Sequence, residues 1–569
     1  MKCGIYQCGI IFVSLFTLGI AFTYKQSTNL TGDFMAFAAD RYPTEIIISA
    51  GQGNAPQTRP EVTEVKCPSL SRTLGPIRLE SCNGRFYVGT SGHTKYMLLK
   101  SGGYGFFMTP VLVWLNHLLP AWTMKYHAYI LSILIIWLML LGFFLFFASA
   151  WSITAAVIAT LVIAFEPAIG LALTFSALSE LLVWTSFAWI LVLLQRYDRS
   201  PKTAFLVIVF ALMGFGMANK FTFVFLIPIV LCSGFFPSRV TKRQSLYAIA
   251  AFIIAMTPHL VFFYAFPDQY ISSMISGITA TRSNLITGNI IIFLKHTLIS
   301  PMFFRPKSNP DMAIVLLRLV TVLGLGIYAL LRGDRKAKIL VAVSWGTAIA
   351  IIAVSFFILG YISYTRIFDL WPMVDILLIL GAFVLWRDLR QSNMGHVNVI
   401  AVVLFLFMLL PGIIGDRFIF TVPGNGVGLP IDRYYIQQSL FSSLRNHNEN
   451  QPLMVGYDTP LHFIYRGLLD YVSKGKVRPR YLKIEKAPSA RDMANVLRRI
   501  APKGPIRFIW LKPRQGLSFQ NRETKTFADN LMRLPHRVLE RFDKYDDSLI
   551  EIYADTKCND PLIGDTGAK

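Results

Sequence analysis

Of 569 residues, 54% are hydrophobic and 15% charged, with a mean hydropathy of +0.50, which excludes an ordinary water-soluble globule. The formal charge of +23 does not point to nucleic acid. Much of it falls in short loops between apolar runs, and part lies in a basic tail suited to anionic lipid head groups or to plain solubility.

Apolar runs of about 17–22 residues recur and predict an α-helical polytopic membrane protein with about eleven transmembrane helices. A helix satisfies its own backbone groups in lipid, so it is the default spanning element. The predicted spans are 5–23, 126–148, 150–167, 173–194, 203–218, 221–236, 245–265, 313–331, 338–359, 367–386 and 396–414. Those at 150–167 and within 203–236 are short or closely joined. The first follows Lys2, and Ala21-Phe22-Thr23-Tyr24 is a poor small-residue cleavage site, so residues 1–23 read as a retained helix rather than a cleaved signal.

The loop 24–125 is too long for a simple connector. Near its start is Thr31-Gly32-Asp33-Phe34, about ten residues past the first span, with Asp40 seven residues further on. On a helix that spacing puts both acids on one face. Asp40 reads more simply as a cap or a solvated loop acid. Gly105 to Leu119 is apolar, interrupted by Pro110 and marked by Trp114 and then Trp122, as in an interfacial helix. Cys67 and Cys82 share this loop and can pair in an oxidising compartment, whereas the six cysteines show no metal-site spacing.

In the membrane core, 126–415, the short loops alternate in charge. Basic ones hold Arg196, Arg199 and Lys202; Arg239, Lys242 and Arg243; Arg332, Arg335, Lys336 and Lys338; and Arg387 with Arg390. Positive loops face the cytoplasm. All four share one side if 266–312 is a single external segment, with 289–304 lying in the interface. The N-terminus is then cytoplasmic, while 24–125 and the tail lie outside an inner or plasma membrane. The tail, 430–569, carries short strand-like runs at 453–457, 507–511 and 549–553 and helical patterns at 459–473 and 490–500. These predict a small α/β domain without a phosphate-binding glycine loop, suited to recruiting substrate or capping the membrane core.

Few ionisable residues remain near the external ends of the spans. Glu166 lies in Phe165-Glu166-Pro167 and Glu180 in Leu178-Ser179-Glu180-Leu181. An acid there faces a polar cavity or bonds a neighbouring helix. Lys220 in Asn219-Lys220-Phe221 and Arg366 in Tyr364-Thr365-Arg366-Ile367 are the two cations in the short external loops, against the topological bias. Holding a phosphate is one task for them and snorkelling to head groups another. Arg318, in the outer part of the eighth span, and Lys295 could join them. Asp375 sits inside the tenth span.

Several of these pieces, in this order, resemble the GT-C glycosyltransferases, specifically the branch with protein O-mannosyltransferases and the lipid A aminoarabinose transferase. The matching stretches are Gly32-Asp33-Phe34-Met35-Ala36, Tyr104 to Leu119, Phe175 to Leu194 with Glu180, Asn219-Lys220-Phe221-Thr222 with Leu226-Ile227-Pro228, and Tyr364-Thr365-Arg366-Ile367-Phe368-Asp369-Leu370-Trp371-Pro372. Residues 1–415 carry the likeness, with Gly32-Asp33 standing where the family has an acidic pair.

The resemblance implies inverting transfer of a hexose or pentose from a polyprenyl-phosphate-linked donor to a lipid, polysaccharide or protein acceptor. By it, Asp33 is the base and Glu180 the second acid, while Lys220 and Arg366 hold the donor phosphate. The substrate-binding set also takes in Glu166, Asp40 and Arg318. No protein cofactor is implied, and a divalent metal is left open. Two other classes compete with this reading: a lipid or polysaccharide transporter without transferase activity, and a membrane anchor whose tail does the work. Clustering of the ionisable residues near one face favours surface chemistry over transport.

Overall fold

The computed structural model describes residues 2–24, 29–31, 45–50, 60–64, 70–82, 85–90, 96–99, 111, 118, 127–166, 169, 178–236, 240–279, 309–354, 371–391, 428–430, 432–446, 453–456, 469, 472–473, 476–477, 480–500, 506–511, 522–542 and 547–552. The chain divides into two units. One comprises Met1–Thr28, Leu98–Met108 and Tyr126–Pro423; the other comprises Asn29–Met97, Thr109–Lys125 and Gly424–Lys569.

The first unit is helical. Its elements are α1 (Lys2–Tyr24), α2 (His127–Ala150), α3 (Ile153–Ala164), α4 (Leu178–Arg199), α5 (Thr203–Asn219), a 3-10 turn (Phe221–Leu226), α6 (Ile227–Cys232), α7 (Lys242–Ala255), α8 (Thr257–Ala265), α9 (Pro267–Thr279), α10 (Asn309–Arg332), α11 (Arg335–Val354) and α12 (Trp371–Gln391). Among the described residues, Tyr129–Ala150 and Leu178–Arg199 are long and apolar enough to cross a membrane, each with 22 residues. At about 1.5 Å per residue each covers about 33 Å, against a hydrocarbon core of about 30 Å.

A third candidate is α7 with α8, bent by 62° at their junction. Pro258 stands in the first turn of α8, where its missing N–H does no harm but where it prevents α7 from running straight on. The predicted span 221–236 is likewise divided, because Pro228 opens α6 behind the 3-10 turn. The predicted span 396–414, the interfacial segment 289–304, the segment 105–119 apart from residues 111 and 118, and Cys67 lie outside the described residues.

Small residues set the helix contacts. A Cβ added at Gly142 would lie 3.0 Å from Ala188 Cβ, so α2 and α4 run close together; the Phe143 and Phe187 rings meet edge-on at 6.2 Å beside them. A Cβ at Gly214 would lie 2.6 Å from the Phe252 carbonyl oxygen, and one at Gly381 2.5 Å from that of Leu325. Glycine therefore lets α5 touch α7, and α10 touch α12, backbone against side (the small-residue packing that replaces the hydrophobic effect between helices in lipid).

Side chains tie the predicted basic loops together at one end of this unit. Lys336 Nζ lies 2.6 Å from Asp198 Oδ2, Arg387 donates to the Arg332 carbonyl at 2.9 Å, and Gln244 donates to Thr203 at 3.3 Å. Trp151 Nε1 reaches Asp334 at 3.0 Å and Arg199 bonds the Ser149 carbonyl, adding the α2–α3 corner. The charge pattern thus marks a real face of the bundle. Glu180, in the first turn of α4, lies about 30 Å along the helix from Arg199 in its last turn.

The second unit is built on sheets. Its strands are β1 (Asn29–Thr31), β2 (Glu45–Ala50), β3 (Pro60–Glu64), β4 (Leu70–Leu74), β5 (Ile77–Cys82), β6 (Arg85–Thr90), β7 (Tyr96–Leu99), β8 (Gly428–Pro430), β9 (Leu453–Gly456), β10 (Arg480–Ile484), β11 (Ile506–Leu511), β12 (His536–Phe542) and β13 (Asp547–Ile552). The main sheet runs β12-β13-β11-β9-β10-β2-β3, and β4 to β7 form a second sheet in chain order. Strands β11, β9, β10 and β2 are parallel, flanked by antiparallel edges.

Helices α13 (Asp432–Asn446), α14 (Ala490–Ile500) and α15 (Arg522–Leu531) complete the unit. Met493, Val496, Leu497 and Ile500 recur at helical spacing on α14, and they share a buried core with Ile46, Ile48, Leu482, Ile484 and Phe508. Ser489 caps α14, accepting from Asp492 N at 3.2 Å.

Two strands of this tail sheet come from the loop after α1. Ile46 sits beside Leu482 and Ile48 beside Ile484, and the Ile48 carbonyl accepts from the N–H groups of Glu485 and Lys486. Strand β1 similarly pairs with β8, Thr31 opposite Gly428. Hydrogen-bonded strands cannot have a bilayer between them, so both segments lie on one side of any membrane the chain crosses. The chain from β3 to β9 must then cross any such membrane an even number of times.

Candidate functional site

Lys220 and Glu180 meet inside the helical unit. Glu180 stands in the first turn of α4, where a carboxylate also suits the positive end of the helix dipole. Lys220 is the residue at which α5 stops: its backbone is extended, with φ −160° and ψ 120°, and its N–H bonds the Gly216 carbonyl at 3.0 Å. The 3-10 turn starts on the Lys220 carbonyl, which accepts from Phe223 at 3.0 Å. Phe223 folds back so closely that a Cβ on Gly216 would lie 2.5 Å from its ring, so glycine permits the reversal. Across this corner Lys220 Nζ lies 2.5 Å from Glu180 Oε1, with 1% and 2% of the two side chains exposed. A buried ammonium and carboxylate each carry a desolvation cost that only such close pairing offsets.

The corner has outside support from two residues that the sequence reading did not single out. His259, on α8, is buried; its Nε2 lies 2.9 Å from the Ala218 carbonyl and its Nδ1 2.8 Å from the Tyr270 hydroxyl on α9. A carbonyl only accepts, so Nε2 carries the proton. Burial pushes the Tyr270 phenol up to about 12, so at neutral pH it is the protonated partner that donates to Nδ1. The Phe221 ring lies 4.7 Å from the imidazole. Asn219 donates from Nδ2 to the Phe215 carbonyl at 2.8 Å. The sequence signal for His259 was a ring with two nitrogens in an apolar run directly after Pro258.

One turn beyond Glu180 on α4, Trp184 meets Trp371 edge-on, ring centroids 4.7 Å apart. Trp371 opens α12, and Asp375 lies one turn into it, also buried. Glu166 is buried just past the end of α3, its carbonyl accepting from Ile169 N at 2.9 Å. The structure therefore joins Glu180 to Lys220 directly. Asp33, Asp40 and Arg366 lie outside the described residues, and so does the side chain of Arg318 on α10. Among the described residues no group of three or more His, Cys, Asp or Glu is placed to hold a metal ion.

No family model and no curated protein matches the chain. Among solved structures it is similar to that of ArnT from Cupriavidus metallidurans in the apo state, with 13% identity and a TM-score of 0.46 over 80% of this chain and 89% of that one. It is also similar to the apo oligosaccharyltransferase of Archaeoglobus fulgidus, with 12% identity and a TM-score of 0.49 over 89% of this chain and 69% of that one. The oligosaccharyltransferase AglB from Archaeoglobus fulgidus, in complex with an inhibitory peptide and a dolichol-phosphate, gives 12% identity and a TM-score of 0.46, over 89% and 69% of the two chains.

Proposed function

We propose that this chain is a membrane glycosyltransferase that moves a sugar, with inversion, from a polyprenyl-phosphate donor to a lipid, polysaccharide or protein acceptor. The observation that carries the reading is the sealed Lys220–Glu180 pair at the end of the bundle away from the basic loops. A lysine there has no orienting value, and its burial is costly, so a task for its charge is the economical explanation.

In this reading the acceptor hydroxyl oxygen attacks the anomeric carbon while Asp33 takes its proton. The bond from that carbon to the phosphate oxygen breaks, and the electron pair leaves with the phosphate. Lys220 and Arg366 stabilise the charge that develops there. Glu180 is the counter-ion that holds Lys220 extended until the phosphate competes for it. Glu166, Asp40 and Arg318 line the approach. The chain then lies in an inner or plasma membrane with its N-terminus cytoplasmic and the β-sheet unit outside, where membrane lipids and acceptor are at hand.

Transport of a lipid or polysaccharide without transfer is the second reading, favoured by the 62° break between α7 and α8 and by buried Asp375 in α12. Incubating the reconstituted chain with radiolabelled polyprenyl-phosphate sugars separates the two. Label appearing in a new covalent product supports transfer; label that changes leaflet but stays on the polyprenyl lipid supports transport.

A further inference from the structure

The end of α5 is held by its own last residue, by its cap and by one bond from another helix. Its last four carbonyls, Gly216 to Asn219, have no backbone partner within the helix. Phe215 O takes the Asn219 side chain, Gly216 O takes the Lys220 N–H, and Ala218 O takes His259 Nε2. The last of these crosses from α8, which reaches the corner because the chain bends 62° on leaving α7. The His259 N–H bonds the Met256 carbonyl at 3.0 Å, so the bend itself seats the residue. Tyr270 on α9 then fixes which imidazole nitrogen carries the proton, and the Phe221 ring packs against the imidazole. Lys220 is two residues from Ala218 and has already left the helix, so its direction depends on where that carbonyl is held.

We infer that His259 and Tyr270 are positioning residues for Lys220: through the Ala218 carbonyl they aim the ammonium at a phosphate bound beside it. The inference rests on the reading of Lys220 as a phosphate-holding group. Geometry of this kind matters steeply, because a misplacement of about 1 Å at a reacting centre can cost about 100-fold.

The test uses the full chain in lipid nanodiscs and polyprenyl phosphate without a sugar as the probe, with thermal unfolding recorded for every variant. Lys220→Ala should weaken binding by at least about 30-fold and His259→Leu by about 10-fold, the latter losing aim but not charge. His259→Gln keeps an N–H that can reach the Ala218 carbonyl and should stay within about 3-fold of wild type, a rescue that loss of packing alone would not give. Tyr270→Phe, which keeps its ring, should fall between the two.

A folded His259→Leu protein with wild-type affinity, or a His259→Gln protein no better than His259→Leu, overturns the positioning role. If His259→Leu does not fold, the comparison of Tyr270→Phe and His259→Gln with wild type decides it: tight binding by Gln with weaker binding by Phe supports the role, and equal affinities overturn it. Wild-type binding by Lys220→Ala overturns the underlying reading of Lys220 instead.

Discussion

Lys220 Nζ and Glu180 Oε1 lie 2.5 Å apart, joining the end of α5 to the start of α4 across 40 residues of chain, and both side chains are sealed from solvent. Removing the ammonium leaves the buried Glu180 carboxylate without its ion-pair partner. Lys220→Met should therefore destabilise the protein by about 3–5 kcal/mol, and the double replacement Lys220→Met with Glu180→Leu should recover most of that loss. Unfolding in detergent measures both. A double variant as unstable as the single would show that the pair does not behave as a compensated charge pair.

Asp33→Asn should leave insertion and unfolding temperature unchanged and reduce transfer by about 100-fold or more, because only the proton acceptor is lost. Initial rates with saturating donor give the value. Full activity in the Asn variant would remove Asp33 from the base role.

The sheet of the second unit should depend on the loop after α1. Ile48 is fully buried between strand and helix, beside Ile484, so Ile48→Ala should cost about 2–5 kcal/mol. A fragment of residues 424–569 lacks β2 and β3 and bares the edge of β10, a template for self-association. It should aggregate, and joining residues 45–64 to it should restore a soluble monomer on size-exclusion chromatography. A monomeric, cooperatively folding fragment without those residues would count against this dependence.

The Tyr270 phenol is raised from 10.0 to about 12 by burial. The unfolded chain loses this proton first, so the stabilisation that the raised value represents is complete below about pH 10 and is lost as pH rises through about 12. The unfolding difference between wild type and Tyr270→Phe should be flat from neutral pH to about 10 and shrink above it. A difference that instead varied between pH 6 and 9 would place the titration elsewhere.

At Gly381 the space is set by the Leu325 backbone, not by a side chain that can turn away. Gly381→Val should therefore push α10 from α12 and destabilise the bundle by about 1–3 kcal/mol. An unchanged unfolding midpoint would mean that the helices separate without cost.

Much of the membrane unit was legible because charge and hydropathy act locally. The four basic loops could be assigned to one face from Arg196 to Arg390, and the Lys336–Asp198 and Arg387–Arg332 contacts bring three of them together there. Glu180 and Lys220 stood out as costly residues in an apolar setting. Their pairing did not, since nothing near either residue encodes a partner 40 positions away. The same holds for Ile46 and Ile48: a continuous apolar run fits a buried strand, but its parallel neighbour β10 lies more than 400 residues along the chain. His259 escaped notice because its partners are a carbonyl and a phenol, neither of which leaves a sequence motif.

The central claim is transfer from a lipid-linked phosphate, and the most direct measurement is product formation by the purified chain. Wild-type protein in vesicles, given a panel of radiolabelled polyprenyl-phosphate sugars and native envelope lipids and glycans, should move label from one donor into a new product. The Lys220→Ala protein, folded, should do so at least about 100-fold more slowly. Label that stays on the donor across the whole panel with wild type, or an equal rate with Lys220→Ala, would contradict the account.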